Sequence, residues 1–394
     1  MHMMKIGLAL MTLPVMAATY TIDSVQQRYP WNGKVDVTYT VSGGETLNPS
    51  QAWLTLEVTD RKTGETFRAQ SLGGPLPSAS GQHHVVWNAA DDGRTTVSDE
   101  LTAKIVKVTM PEKYVVIDLS GGFYAPRFPV SYLDAPPEGG VNTPEYKTTK
   151  LVLRYLPAGS FIMGSPYDET GREATETQHP VTLTHPFYFA LFDLTRGPFE
   201  RIMGHSALNE KGHGEMRPMD EYHSTNLRGE GQGVTSYKLL GLLSAKTGLS
   251  FEWPTDAQWE YACRAGTTTA RYTGVQTDAD LSTIARWKTS SAADKAKHTD
   301  YHTDVGSYAP NPWGLYDLYG NVWEYTRDYA VADASVLPAV DPCQLVRADP
   351  DSQQRIVRGG SYASDSATCR SACRRTISQR ESTAGYGCRL VIQL

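Results

Sequence analysis

Apolar and polar residues alternate along Val35-Asp-Val-Thr-Tyr-Thr-Val41 and Leu54-Thr-Leu-Glu-Val58, and again from Leu101 to Val108. A period of two puts one face of each stretch in a core and the other in water, which predicts half-buried strands. His84-Val-Val-Trp87 reads as a further short strand. Gly43-Gly44, the polar run Thr59-Asp-Arg-Lys-Thr-Gly64 and Asn88-Ala-Ala-Asp-Asp-Gly93 supply turn formers between them. Strands spaced by about a dozen residues, with Trp87 as the candidate buried tryptophan, predict a small all-β sandwich over residues 19–112.

The pattern then breaks. Six prolines (Pro111, Pro126, Pro129, Pro136, Pro137 and Pro144) punctuate the next stretch, and residues 113–149 read as a Pro-rich linker in which only Tyr114-Val-Val-Ile-Asp118 has strand character. From Lys150 the texture changes again. Leu151–Leu156 predicts a strand, Pro157–Ser165 turns and pairs back, and Thr177–Thr184 and Phe187–Phe192 follow as strands. Thr195 opens a helix to about Met203. Thr255 is an N-cap for a second helix, with Asp256 in its first turn, Ala257, Tyr261 and Ala262 along one face, and Gly266 as its stop. Periodicity alone gives residues 150–394 as mixed, irregular α+β.

Composition changes the picture in three places. The chain has 394 residues, 40% hydrophobic and 20% charged, with 34 glycines, 23 prolines and 22 tyrosines, as suits a loop-rich globular protein. A net charge of -6 offers no basic surface to a polyanion, which excludes nucleic acid as the partner. Lys5, the apolar run Ile6–Met16 and Val15-Met-Ala17 fit a signal peptide over residues 1–18. The expected location is therefore secreted, in a periplasm or at a cell surface. That run is too short to span a bilayer, and no later stretch approaches ~18 apolar residues, so no transmembrane segment is expected. The five cysteines, Cys263, Cys343, Cys369, Cys373 and Cys388, lack zinc-site spacing, and an odd number leaves at least one thiol unpaired.

Five phrases fall in a recognisable order: Pro157-Ala-Gly-Ser-Phe-Ile-Met-Gly-Ser165, Trp253-Pro-Thr-Asp-Ala-Gln-Trp-Glu-Tyr-Ala-Cys-Arg264, Trp313-Gly-Leu-Tyr-Asp317, Gly320-Asn-Val-Trp-Glu324 and Arg358-Gly-Gly-Ser361. Together they resemble the formylglycine-generating enzyme (sulfatase-modifying factor) family over about residues 150–394. The resemblance implies a C-type-lectin-like fold. Separately, Val86-Trp-Asn-Ala-Ala-Asp-Asp-Gly93 resembles immunoglobulin-like domains of bacterial extracellular proteins.

For the family's enzymes the resemblance implies oxidation of a sulfatase cysteine to formylglycine, with Cu(I) held by two thiolates. These follow the aromatic of the Arg-Gly-Gly-Ser-aromatic phrase by two and seven positions. Counted from Tyr362, the second is Cys369 and the first is Ser364. A hydroxyl is a poor ligand for a soft cation, so the pair is broken. Cys373 is the alternative second thiolate, and Cys388 reads as a core filler where relatives carry an aromatic. The resemblance also implies a structural Ca²⁺ site from the side chains of Asp317 and Glu324 with the carbonyls of Gly320 and Val322, oxygen ligands of the kind calcium takes. A second calcium site has no counterpart near Leu281–Trp287. The ten histidines lack the spacing that an iron-dependent branch requires.

A binding branch of the same fold, the variable proteins of diversity-generating retroelements, keeps the framework and varies the residues between. Here the framework is Arg358–Ser361, Cys369–Ala372 and Gly387–Val391. The expected binding surface is Tyr362, Ala363, Ser364, Asp365, Ser366, Thr368, Cys373, Thr376, Ile377, Ser378, Ser382, Thr383 and Tyr386. Arg358, Arg370 and Arg389 are expected to partner buried carboxylates or carbonyls. The reading that follows is a secreted protein that binds a protein or glycan ligand. The alternatives are a copper oxidase using Cys369 and a structural envelope protein.

Overall fold

A computed structural model describes residues 18–43, 47, 52–69, 72, 76–89, 99–109, 113–206, 214–229, 233–274, 276–288, 301–347 and 353–394. The expected signal peptide and most of the turn after Asn88 lie outside the described residues. The chain divides into two compact units, the second running from Val108 to Leu394 with two short excursions from the first.

The first unit holds β1 (Thr19–Gln27), β2 (Lys34–Ser42), β3 (Ala52–Asp60), β4 (Thr66–Ala69), β5 (Gly81–Asn88) and β6 (Leu101–Thr109). They form two three-stranded sheets, β1-β2-β5 and β4-β3-β6. The alternation read from sequence sets the burial: Val35, Val37, Tyr39 and Val41 point inward from β2, and Leu54, Leu56 and Val58 from β3. Both sets and the fully buried Trp87 share one apolar core.

The second unit begins where the sequence suggests a linker. β7 (Tyr114–Asp118) and β8 (Val130–Leu133) join β9 (Lys150–Leu156), β12 (Phe187–Ala190), β13 (Phe251–Glu252) and β18 (Val391–Gln393) in a six-stranded sheet ordered β13-β18-β12-β9-β7-β8. β7 pairs antiparallel with both β8 and β9, so it is interior to the sheet. The Pro-rich reading of residues 113–149 is corrected accordingly. Tyr114-Val-Val-Ile is apolar on both faces, as a strand covered on both sides requires, and the prolines from Pro126 to Pro144 lie in the loops after it. One face carries Val115, Ile117, Leu153, Tyr188 and Ile392 against α2 (Arg196–Met203), α3 (Ser224–Leu227) and α4 (Leu239–Thr247). The other carries Val116, Val152, Leu156, Phe187, Phe189 and Val391 against α5 (Asp256–Arg264) and α6 (Asp278–Ile284). A short helix, α1 (Glu145–Thr148), precedes β9, and β10 (Gly159–Met163) pairs with β11 (His179–Leu183).

A second sheet, ordered β16-β15-β14-β17, comprises β14 (Trp323–Tyr329), β15 (Gln354–Arg358), β16 (Arg374–Ser378) and β17 (Tyr386–Gly387). It presents the loops that follow the Arg-Gly-Gly-Ser phrase. α5 starts in a complete capping box, Thr255 with Gln258, and turns left-handed at Ala265, one residue before the expected Gly266. Among the described residues no helix is long and apolar enough to cross a membrane.

Candidate functional site

Three buried arginines fix the ground under the candidate surface. Arg358, at the end of β15, donates to Asp256, to Glu260 Oε2 at 2.6 Å, and to the carbonyls of Ser371 and Cys373 at 2.9 and 3.0 Å. Arg370 donates to both oxygens of Glu176 at 2.8 Å and to Glu169. Arg389 forks onto Glu324 at 2.9 and 2.8 Å and reaches Asp193 Oδ1 at 3.1 Å and the carbonyls of Leu191 and Tyr316 at 2.8 Å. Burial disfavours each charge, but the facing carboxylates outweigh it and hold each guanidinium above its ordinary range. The expected scaffold role matches these contacts.

Gly360 locates the two copper positions. Its φ is +83°, and a Cβ there would lie 2.9 Å from Cys369 Sγ and 3.6 Å from Ser364 Oγ. The two side chains thus flank one point, as the family spacing implies. Ser364 Oγ accepts the Ser361 N–H at 2.9 Å and sits 3.3 Å from Ser361 Oγ. Cys369 is fully buried, and burial pushes its thiol up to about 12. With a hydroxyl where the other thiolate would stand, the pair beside Gly360 offers one soft donor, which does not fit a two-thiolate Cu(I) site. Cys373 belongs to a different apolar cluster from Cys369, and burial pushes its thiol up to about 11. All five cysteines are free.

The calcium positions present a different donor set. Asp317 Oδ2 accepts the Gly306 N–H at 2.6 Å, whereas its Oδ1 is buried with no hydrogen-bond partner among the described residues. Glu324 accepts from Arg389 and from Trp259 Nε1 at 2.8 Å. Burial pushes the Asp317 carboxyl up to about 6, and burial followed by the Glu324 charge pushes Asp193 well above the usual carboxylate range. Surplus negative charge around one guanidinium, with an orphaned carboxylate oxygen, fits a hard cation. Among the described residues no three His, Cys, Asp or Glu side chains form a metal cluster, so an ion here would rest on two carboxylates and backbone oxygens.

The expected binding surface separates into three groups. Ala363, Asp365, Thr376, Ser382 and Thr383 are exposed, and Tyr362, Ser364, Ser366, Thr368, Ser378 and Tyr386 are half-buried. Cys373 and Ile377 are buried, at 1% and 3% exposure, and do not belong to it. Residues 374–378 form a strand rather than a loop, and the strand turns Ile377 into the core beside Val357 and Leu390. Asp365 starts the short turn Ser366–Thr368 and pairs with Lys288 Nζ at 3.3 Å, and Ser382 Oγ donates to the Glu221 carbonyl at 2.6 Å.

Sequence reasoning missed what lies beside this surface. Asp220 Oδ2 accepts the Gly385 N–H at 2.9 Å, while its Oδ1 faces Arg196 at 3.1 Å and His302 Nε2 at 3.4 Å. Asn321 fastens this group to the Arg-Gly-Gly-Ser loop: its Oδ1 accepts the Thr303 N–H at 3.0 Å and its carbonyl the Tyr362 N–H at 2.9 Å. Trp323 and Tyr386 stack at 6.4 Å. Only the Gly320–Glu324 phrase gave any local signal of this arrangement.

With this geometry in hand, the comparisons place the chain. The description "Sulfatase-modifying factor enzyme 1-like domain" matches residues 141–394. The chain is 31% identical over 147 residues to a formylglycine-generating enzyme of Streptomyces coelicolor, covering 34% of this chain and 45% of that protein. It is 26% identical over 259 residues to the serine/threonine-protein kinase pkn1 of Chlamydia caviae, covering 62% of this chain and 38% of that one. The aligned part thus spans less than half of either relative's length. PvdO from Pseudomonas aeruginosa shares the fold with a TM-score of 0.53 at 23% identity, over 62% of this chain and 94% of that one. Treponema denticola variable protein 1 does so with a TM-score of 0.50 at 20% identity, over 62% and 96%. β7 and β8 precede the matched span yet complete its sheet. The chain belongs to the family that carries the sulfatase-modifying factor enzyme 1-like domain.

Proposed function

We propose that the second unit is a ligand-binding domain built on this family's frame and not a copper oxidase. The observation that carries the reading is the Ser364 hydroxyl, which flanks the same point as Cys369 where the oxidase chemistry requires a second thiolate. Around it, Ala363, Asp365, Thr376, Ser382 and Thr383 are exposed on loops held by Arg358 and Arg370, with Tyr362 and Tyr386 at their edges. A rigid frame under small polar loop residues, with tyrosines for contact area, suits recognition of a protein or glycan. The fold likeness to a variable protein supports assigning these positions to a variable face.

In this reading the N-terminal leader exports the chain. The first unit is an immunoglobulin-like sandwich that spaces or presents the second. A Ca²⁺ ion held by Asp317 and Glu324 with the carbonyls of Gly320 and Val322 neutralises the buried carboxylates and stiffens the turn behind Tyr362. The test is incubation of the Cu(I)-treated full chain with a cysteine-containing sulfatase peptide, read by mass spectrometry beside an active two-cysteine relative. The reading predicts an unchanged peptide. Conversion of the thiol to an aldehyde would overturn it.

A further inference from the structure

The group formed by Asp220, His302 and Tyr362 has no part in the frame contacts or in the copper and calcium positions. His302 is 1% exposed. Its Nε2 faces Asp220 Oδ1 at 3.4 Å, and its Nδ1 is buried with no hydrogen-bond partner among the described residues. Burial alone would push the Asp220 carboxyl up, but the bond and charge of His302, the Gly385 N–H and Arg196 outweigh it and hold it below its ordinary range. Nε2 faces a carboxylate, which only accepts, so Nδ1 is the ring nitrogen whose hydrogen-bonding capacity is left unused. A buried polar atom with no partner is costly to the fold, and such a group calls for an explanation in function.

The surroundings say what could meet it. Tyr362 packs edge-on to the His302 ring at 6.1 Å, and Tyr301 lies 5.9 Å from Tyr362. On the other side of Gly385 the Trp323–Tyr386 stack continues the aromatic lining. Tyr301, Tyr362 and Tyr386 are half-buried, so part of each remains open to solvent. An unpartnered ring nitrogen within an aromatic wall selects a ligand with apolar C–H faces that also carries hydroxyl groups. A pyranose ring has both.

We propose that Tyr301, His302 and Tyr362 form a sugar subsite of the binding face, in which His302 Nδ1 hydrogen-bonds to a ring hydroxyl and Asp220 positions the imidazole. Tyr362, packed against the imidazole, is the side chain that rotates to admit the hydroxyl. The subsite rests on the binding reading above and names the ligand class for that face.

The full chain with ¹⁵N-labelled histidine tests it, read by the His302 Nδ1 resonance during titration with mannose, galactose, glucose and N-acetylglucosamine, and with n-butylamine as a donor that lacks a ring. A saturable shift with at least one sugar and none with the amine is the expected result. His302→Gln keeps an amide N–H toward Asp220 but removes the ring nitrogen Nδ1. It should retain the wild-type melting curve while weakening that sugar at least about tenfold, measured by calorimetry. A shift with the amine alone, or with no probe, overturns the subsite, as does unchanged affinity in His302→Gln. Failure here is separable from failure of the binding reading. Turnover of the cysteine peptide would sink that reading whatever the titration shows, whereas no turnover and no sugar shift would sink only the subsite.

Discussion

At the scale of single residues, the buried charges decide most. Arg389 satisfies two carboxylates and several carbonyls at once, so removing it leaves Glu324 and Asp193 buried without their counter-charge. Arg389→Met should cost the second unit about 3–5 kcal/mol in urea unfolding, and Arg389→Lys less, because it keeps the charge and loses the fork. Asp328 gives a signature in pH. Burial, then the neighbouring Asp256 charge, pushes its carboxyl up to about 6 from 3.8, although the Gln344 and Asp256 N–H groups bond it. A folded-state pKa above the unfolded one favours the folded state most below pH ~4, and that contribution is lost as pH rises through about 6. Asp328→Asn should therefore gain about 1–3 kcal/mol on the wild type between pH 4 and pH 7 in paired denaturant curves. A constant difference across that window would contradict the assignment.

At the scale of elements, the β7–β8 hairpin carries the clearest consequence. β7 is bonded on both sides within the six-stranded sheet, and Val115 and Ile117 are fully buried. A fragment beginning at residue 141, where the family match starts, should fail to give a cooperative melt, whereas one beginning at residue 108 should fold. Equal melting of the two would place β7 outside the core. This element also shows how far sequence reasoning reaches. Alternation placed β2, β3 and β6 of the first unit, though not β1 or β4, and the capping residues placed α5, because both are local signals. The hairpin was hidden because proline density is read over a window, while Tyr114-Val-Val-Ile is a short run that only a covered sheet explains. Ile377 was misplaced for a related reason: it was taken for part of the varied surface, but pairing with β15 makes residues 374–378 a strand with an inward side. The arginine frame was legible through its phrases. The Asp220–His302 pair was not, since residues far apart in sequence are brought together only by the fold.

At the scale of the whole molecule, a rigid frame carries a face of small, exposed side chains. If Ca²⁺ offsets the surplus charge around Asp317, millimolar Ca²⁺ should raise the melting temperature of the second unit and chelation should lower it. Asp317→Asn should abolish the difference, as followed by calorimetry. An ion-independent melting temperature would remove calcium from the account. The face itself should tolerate change: Ala363, Thr376 and Thr383 are exposed, so substitutions there should alter stability by no more than about 0.5 kcal/mol.

The second unit is proposed to bind and not to oxidise because position 364 lacks a thiol. The most direct measurement is a competitive Cu(I) titration of the wild type beside Ser364→Cys, which restores a thiol next to Cys369 at the point marked by Gly360. The account predicts that Ser364→Cys takes up one equivalent of Cu(I) at least about a hundredfold more tightly than the wild type, a difference of roughly 2.7 kcal/mol. Equal, tight uptake by the wild type, lost in Cys369→Ala, would contradict it and return the domain to copper chemistry.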